Sequence, residues 1–371
     1  MYDVLIIGVS PAGAVAAALL ARQNRSVALV ARDQPTAHLP RTTWVGKDAE
    51  AILESSGLSS AHDTLGPALE HLIFRSPDLS QHAVSDVARI GAHLTDRVHL
   101  LKQLTACARQ DGAEIVTADP VARIALGESL VVASLRSGRS IEARLLIAAD
   151  EVESLLVEHL PHARLHKCLV CHQLELHPPA QMLHDFYESI PMAMVAFNCP
   201  AAGAGAYVLA GSGRLAVGLG ASADSETAAE LFARFCTMVT QRGLIPPDLS
   251  LDPKAADTWL TPAGAAVELE THVAKRAVLI GRAGGFVATV SSLDAYPEMW
   301  SAKLAADIAA HALTSDNPQD ELGRFDAAWR TGMARHLQPP NTDLQFLLPL
   351  VFSNTQMADR LAQAILTGQP I

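Results

Sequence analysis

The chain has 371 residues, 49% of them hydrophobic and 18% charged, with a formal net charge of −11. That composition excludes a disordered chain, and the length exceeds one typical domain, so two packed parts are expected. The acidic balance argues against a nucleic-acid binder, which needs a basic face. No apolar run approaches the roughly 20 residues that span a bilayer. No basic stretch followed by a hydrophobic run marks a signal peptide. A cytoplasmic, reducing location is therefore expected, with the five cysteines as thiols.

Tyr2-Asp3-Val4-Leu5-Ile6-Ile7 reads as a buried strand, Gly8-Val9-Ser10-Pro11-Ala12-Gly13 as a tight turn, and Ala14 to Gln23 as an alanine-rich helix. Val27-Ala28-Leu29-Val30 is a second strand. Strand, glycine turn, helix, strand is the unit that binds a dinucleotide, with the pyrophosphate at the helix N-terminus. With Pro-Ala inside the turn, at the start of the chain, it points to FAD more than to NAD. Two positions are altered: Ser10 replaces the middle glycine, and Ala31 stands where an acidic residue is expected.

Residues 58–95 are short strand-like pieces. Asp96 to Ile115 reads as a helix, then Gly112 and a strand; Leu130 to Asp150 reads as two strands around a Ser137-Gly138 turn. Residues 164–270 alternate strands (Cys168–Leu176, Ala193–Phe197, Ala206–Leu209, Arg214–Leu219) with a helix from Thr227 to Arg242. Ala277-Val278-Leu279-Ile280-Gly281 is an apolar strand ending in glycine, followed by a small-residue turn and a helix from about Pro297 to Leu313. The tail after Pro318 is helical, broken at Gln338-Pro339-Pro340. The expected fold is α/β: a three-layer Rossmann-like dinucleotide domain (1–57, 96–163 and 271–313), an inserted antiparallel sheet acting as lid or substrate domain (58–95 and 164–270), and a helical C-terminal segment (314–371).

These stretches resemble, nearly end to end, the flavoprotein family that holds geranylgeranyl reductases and aromatic-hydroxylase-type monooxygenases. The resemblance implies four FAD stations in chain order. They match Gly8–Gly13, Asp96-Arg97, Ala149-Asp150-Glu151 and Gly281-Arg282. The tail, with Phe352-Ser353-Asn354 and Ala358-Asp359-Arg360, is similar to the reductase-type C-terminus. The cofactor-binding residues so implied are Gly8, Ser10, Pro11, Ala12, Gly13, Arg32, Arg41, Arg97, Asp150, Gly281, Arg282, Gly284 and Ser292. NADPH or NADH would serve as reductant, and the substrate would be a hydrophobic or aromatic small molecule. Arg41 and Lys47 are candidates for contacting flavin or substrate.

Several stations depart from the family. Ala31 accepts no hydrogen bond from a ribose, and Ala31-Arg32 matches what NADP-binding units use for a 2′-phosphate. Glu151 replaces a glycine; a positive φ there would cost of order 1 kcal/mol. Arg282 replaces an aspartate and cannot accept a hydrogen bond, so it either pairs with the pyrophosphate or forms a salt bridge to a neighbouring carboxylate. Ser291-Ser292-Leu293-Asp294 aligns with a glycine-rich helix start, where Asp294 would cap the helix itself. Either FAD is bound in a modified way, or the fold has lost FAD and serves as a ligand- or partner-binding protein, or it performs flavin-independent chemistry.

Other constellations were weighed. Cys168-Leu169-Val170-Cys171-His172 has c-type haem spacing, but a strand puts the two cysteines on opposite faces. A closed zinc site pairs two short-spaced couples and the sequence offers only one, so no metal is assigned. Tyr187, Trp259, Tyr296, Trp300 and Phe346 are candidates to line an apolar pocket, but with aromatics only 5% of the chain most of them are read as core or packing residues. No catalytic acid or base is nominated, because a flavin carries its own chemistry.

Overall fold

The computed structural model describes all residues except 33–41, 59–63, 161–164, 166, 188–189, 212, 223, 290–294, 339–343 and 368–371. Among them the first sheet has eight strands. Five run parallel, in the order Ala277–Leu279, Ser140–Ala148, Tyr2–Ile7, Val27–Val30, Glu114–Val116. A hairpin, Val121–Leu126 and Val131–Leu135, adds antiparallel to Ser140–Ala148, and Val273–Ala274 pairs with Ala277–Leu279 at the far edge. The opening strand is apolar and buried from Val4 to Ile7 because both its faces are covered there. Val4 and Ile6 join the core of helices Pro11–Arg22, Arg97–Gln110 and Tyr296–Ala312, while Leu5 and Ile7 join that of the hairpin. This is the expected three-layer arrangement.

The second sheet has seven strands, in the order Asp257–Thr261, Leu169–Leu176, Arg214–Ala221, Ala204–Gly211, Met192–Phe197, His71–Arg75, His82–Asp86. It departs from the expected antiparallel sheet at one seam, where Met192–Phe197 runs parallel to His71–Arg75. That seam joins two chain segments far apart in sequence, so no hairpin dictates its direction. Helix Ser225–Gln241 covers one face through Phe232, Phe235 and Val239. On the other face Ala193, Val195 and Leu209 share a core with Trp44 and with the tail helices Leu344–Ser353 and Thr355–Thr367. A ribbon of Thr42–Val45 and His93–Asp96 stands beside this face.

The first helix begins at Pro11 and not at Ala14, because Ser10 is its N-cap and Pro11 its first residue. Helix Ser225–Gln241 also starts early, as Asp224 accepts from the Thr227 N–H at 2.8 Å. No helix among the described residues is long and apolar enough to cross a membrane.

Candidate functional site

The chain leaves the opening strand toward Val27–Val30 on one side and lies beside Ser140–Ala148 on the other, so the strand order reverses there. Ligands of open α/β sheets bind outside the carboxyl ends of the strands at such a point. Backbone bonds extend this edge past the strands proper: Gly8 N–H to Val30 O at 2.8 Å, Ala149 N–H to Ile7 O at 2.7 Å, and Ile280 N–H to Ala148 O at 2.9 Å. The turns that follow carry Gly8 to Gly13, Arg32, Asp150-Glu151 and Gly281-Arg282. Three of the four stations named from the sequence therefore meet on one edge, with Arg32 beside them, while Arg97 opens helix Arg97–Gln110.

At Gly8 the packing is close enough to dictate the residue. Its φ is +108°, and a Cβ there would lie 2.3 Å from the Ala149 carbonyl oxygen. Ser10, the replaced glycine, is buried and fully engaged: its Oγ accepts from the Gly13 N–H at 3.1 Å and donates to Ala149 O at 2.8 Å. The hydroxyl thus ties the first helix to the Asp150 turn. Ala12 packs against Gly281, holding the last turn onto the same helix start. Ala31 uses its backbone N–H on Val116 O and its carbonyl on the Val121 N–H, both at 2.9 Å, and offers no acceptor of its own.

Asp150 is buried. Its Oδ2 accepts from the Leu155 N–H at 3.1 Å and lies 4.0 Å from the Arg32 guanidinium, while its Oδ1 has no hydrogen-bond partner among the described residues. Burial pushes its carboxyl up to about 6, with the Ser154 hydroxyl, the Leu155 amide and Arg32 pulling the other way. Glu151 is not among the residues of positive φ, so the strain foreseen for a glycine replacement is absent there.

Arg282 forms the salt bridge that was one of its two expected roles. Its Nε donates to Glu151 Oε2 at 2.8 Å, its Nη2 donates to the Leu260 carbonyl, and its Nη1 lies 4.0 Å from Glu298 Oε1. Glu298 in turn accepts from Arg97 Nη2 at 3.0 Å. Arg282, Glu298 and Arg97 expose only 4%, 3% and 7% of their side chains, against 44% for Glu151. Burial opposes the Arg282 charge, but Glu151 and Glu298 outweigh it and hold the guanidinium above its ordinary range. Arg97 Nε is buried without a partner among the described residues. Glu298 was missed by the sequence reading. A glutamate after Pro297 at a helix start reads as ordinary compensation of the helix dipole.

The last turn is anchored from below. Gly281 N–H donates to Ser301 Oγ at 2.9 Å, and Gly284 O accepts from His272 Nε2 at 2.9 Å. His272 Nδ1 faces Asp326 at 3.1 Å. Burial would raise the Asp326 carboxyl, but hydrogen bonds from His272 and Thr271 outweigh it and hold it well below the usual carboxylate range.

The second sheet presents Cys171, Gln173 and Glu175 on alternate positions of one strand. Tyr207 donates to Gln173 Oε1 at 2.7 Å, reaching across Gly218, where a Cβ would lie 2.1 Å from the ring. Glu175 accepts from the Thr42 hydroxyl at 2.9 Å and N–H at 3.1 Å, fastening the sheet to the ribbon. Burial pushes the Cys171 thiol up to about 11 and raises Cys168, so neither is a ready thiolate.

Some predictions fall elsewhere. Arg41, Ser292 and Asp294 lie outside the described residues. Lys47 is exposed and its stem packs beside Gly91. The five aromatics do not form one pocket. Tyr187 packs in the second-sheet core with its hydroxyl on Leu244 O, Trp259 lies by Cys171, and Tyr296 and Trp300 join the first core. Phe346 is 76% exposed. The sequence contains too few aromatics to fill both cores and a pocket besides.

A family model described as FAD binding domain matches residues 1–253. Digeranylgeranylglycerophospholipid reductase 1 of Methanopyrus kandleri is 28% identical over 202 residues, 51% of this chain and 52% of that protein. The chain thus spans about half the length of the curated relative it matches. A geranylgeranyl bacteriochlorophyll reductase-like protein from Thermoplasma acidophilum superposes with a TM-score of 0.72 at 14% identity, covering 100% of this chain and 92% of that one. PqsL of Pseudomonas aeruginosa, solved in complex with 2-aminobenzoylacetate, superposes with a TM-score of 0.67 at 17% identity, covering 98% and 99%. At such identities the two structures establish a shared fold.

Proposed function

The chain belongs to the FAD binding domain family, and from that membership we propose that it is a flavin-dependent oxidoreductase acting on a hydrophobic or aromatic small molecule. The observation that carries the reading is the strand edge itself. It brings the glycine turn and a buried carboxylate oxygen together, and the ion-pair chain Arg282–Glu298–Arg97 leads from it to a buried guanidinium N–H; both of those polar atoms lack partners among the described residues. An acceptor at Asp150 Oδ1 suits a ligand hydroxyl, and a donor at Arg97 Nε suits a phosphate oxygen. The residues present therefore fit FAD.

In this reading Gly8 to Gly13 form the cradle, Asp150 takes a hydroxyl, and Arg97 and Arg282 supply positive charge. Bound FAD supplies the electron-transfer chemistry, with NADPH or NADH as its reductant. The protein's part is to orient and to exclude water. Gly281 and Gly284, fixed by Ser301 and His272, hold the last turn rigid against the first helix. Residues 58–95 and 164–270 form the substrate side. There Trp259, Cys171 and Leu169 form a small buried apolar cluster. The substrate class is supported by the likeness to the reductase relatives and to PqsL.

The test is a visible spectrum of the purified protein before and after incubation with FAD, with chromatography of the released cofactor. Stoichiometric FAD is expected. A protein that stays colourless after incubation would sink the reading.

A further inference from the structure

The two carboxylates on Arg282 differ in kind. Glu298 is buried and shared with Arg97 at 3.0 Å, so it is locked in place from two sides. Glu151 holds Arg282 Nε at 2.8 Å yet keeps 44% of its side chain in water. The four charges sum to zero only while Glu151 is counted. Without it, Arg97 and Arg282 outweigh Glu298 by one positive unit in a buried place, which demands an anion. Arg282 also follows Gly281, which packs on Ala12 in the first turn of helix Pro11–Arg22. The backbone that carries Arg282 therefore stands beside the helix start where the glycine turn would hold a diphosphate. The unpartnered Nε of buried Arg97 is a second donor without an acceptor.

We propose that Glu151 is a displaceable internal anion, which holds Arg282 until a phosphate of the dinucleotide takes its place. This rests on the reading of the strand edge as an FAD site. The exchange is one of ion pairs alone. The Glu151 carboxylate turns out to solvent still charged, and Arg282, with Arg97 behind the fixed Glu298, receives the diphosphate charge. An exposed carboxylate costs little to release, because a half-solvated ion pair is weak. Glu298 does not exchange, since leaving it would strand two buried guanidiniums.

The test is titration with FAD and with riboflavin, which lacks phosphates, of the protein cleared of bound flavin, followed by quenching of flavin fluorescence. Glu151→Gln is expected to bind FAD about tenfold more tightly than the unaltered protein at low salt, while riboflavin affinity stays the same. Glu151→Ala removes the same carboxylate and should show the same gain. In an Arg282→Met background the gain should vanish. FAD binding that Glu151→Gln leaves unchanged or weakens would overturn the proposal alone, as would an equal gain for riboflavin. Failure of the unaltered protein and both Glu151 variants to bind FAD, with unfolding midpoints intact, would sink the cofactor reading and this proposal with it.

Discussion

Replacing Asp150 by asparagine should make the protein more stable at alkaline pH and slightly less stable in acid. Burial raises this carboxyl from the ordinary 3.8 to about 6. The native state therefore binds the proton more tightly than the unfolded chain does. The resulting stability is complete below about pH 4 and is lost as pH rises through about 6. A shift of about two units at 1.36 kcal/mol each is a cost of roughly 3 kcal/mol once the carboxylate is charged. Asparagine is neutral throughout and keeps an oxygen for the Leu155 N–H. Its amide would take the place of an oxygen that has no partner among the described residues, and leaving it unpaired returns about 1 kcal/mol. The net expectation is about 2 kcal/mol of added stability at pH 8, turning into a loss of about 1 kcal/mol near pH 4, where only the amide penalty remains. Denaturant unfolding of protein cleared of flavin, followed by tryptophan fluorescence at both pH values, measures it. A difference equal at the two pH values, or a loss at pH 8, would refute the argument that ionised Asp150 is the strained state. The same substitution should weaken FAD binding, because it removes the charged acceptor proposed for the ligand hydroxyl.

Gly8→Ala places a Cβ 2.3 Å from Ala149 O at a φ of +108°, so it should cost about 3 kcal/mol or more through strain and overpacking. An unshifted melting temperature would count against the close turn. Glu298→Ala leaves two buried guanidiniums without their shared carboxylate and should cost about 3–5 kcal/mol, read by denaturant midpoint. Tyr207→Phe strips Gln173 of its hydroxyl donor and should cost about 1–3 kcal/mol. Gly218→Ala, whose Cβ would meet the Tyr207 ring at 2.1 Å, should be far less damaging in a Tyr207→Ala background. Additive effects in that double-mutant cycle would refute the contact.

What was legible in the sequence is what local pattern encodes. The strand Tyr2–Ile7, the glycine turn and the alanine-rich helix each depend on neighbours a few residues away, and all three are present, with the helix starting three residues before the pattern puts it. The start of the first helix was misplaced because Ser10 was weighed as a missing glycine and not as a cap. Non-local partners leave no such trace. Arg97 and Glu298 are 201 residues apart, and the parallel seam between His71–Arg75 and Met192–Phe197 has no turn to announce it. Four of the five aromatics pack in or against cores, as their low abundance suggests, but the sequence does not say which core each one fills.

The altered stations also mean something different in three dimensions. In the sequence, Glu151 for glycine and Arg282 for aspartate are two separate injuries to a cofactor motif. In the fold they are one another's partners at 2.8 Å, and Glu298 completes the charge balance with Arg97. A site decaying without constraint would gather buried charges with nothing opposite them, each costing several kcal/mol. Arg282 alone, set into this edge without a carboxylate, would be such a charge. The observed set is neutral and self-consistent, and it turns the acidic station of the motif into a basic one while keeping the glycine turn and Asp150. That is the arrangement expected of an edge that holds the anionic ligand proposed above, with the half-exposed Glu151 as its proposed displaceable part.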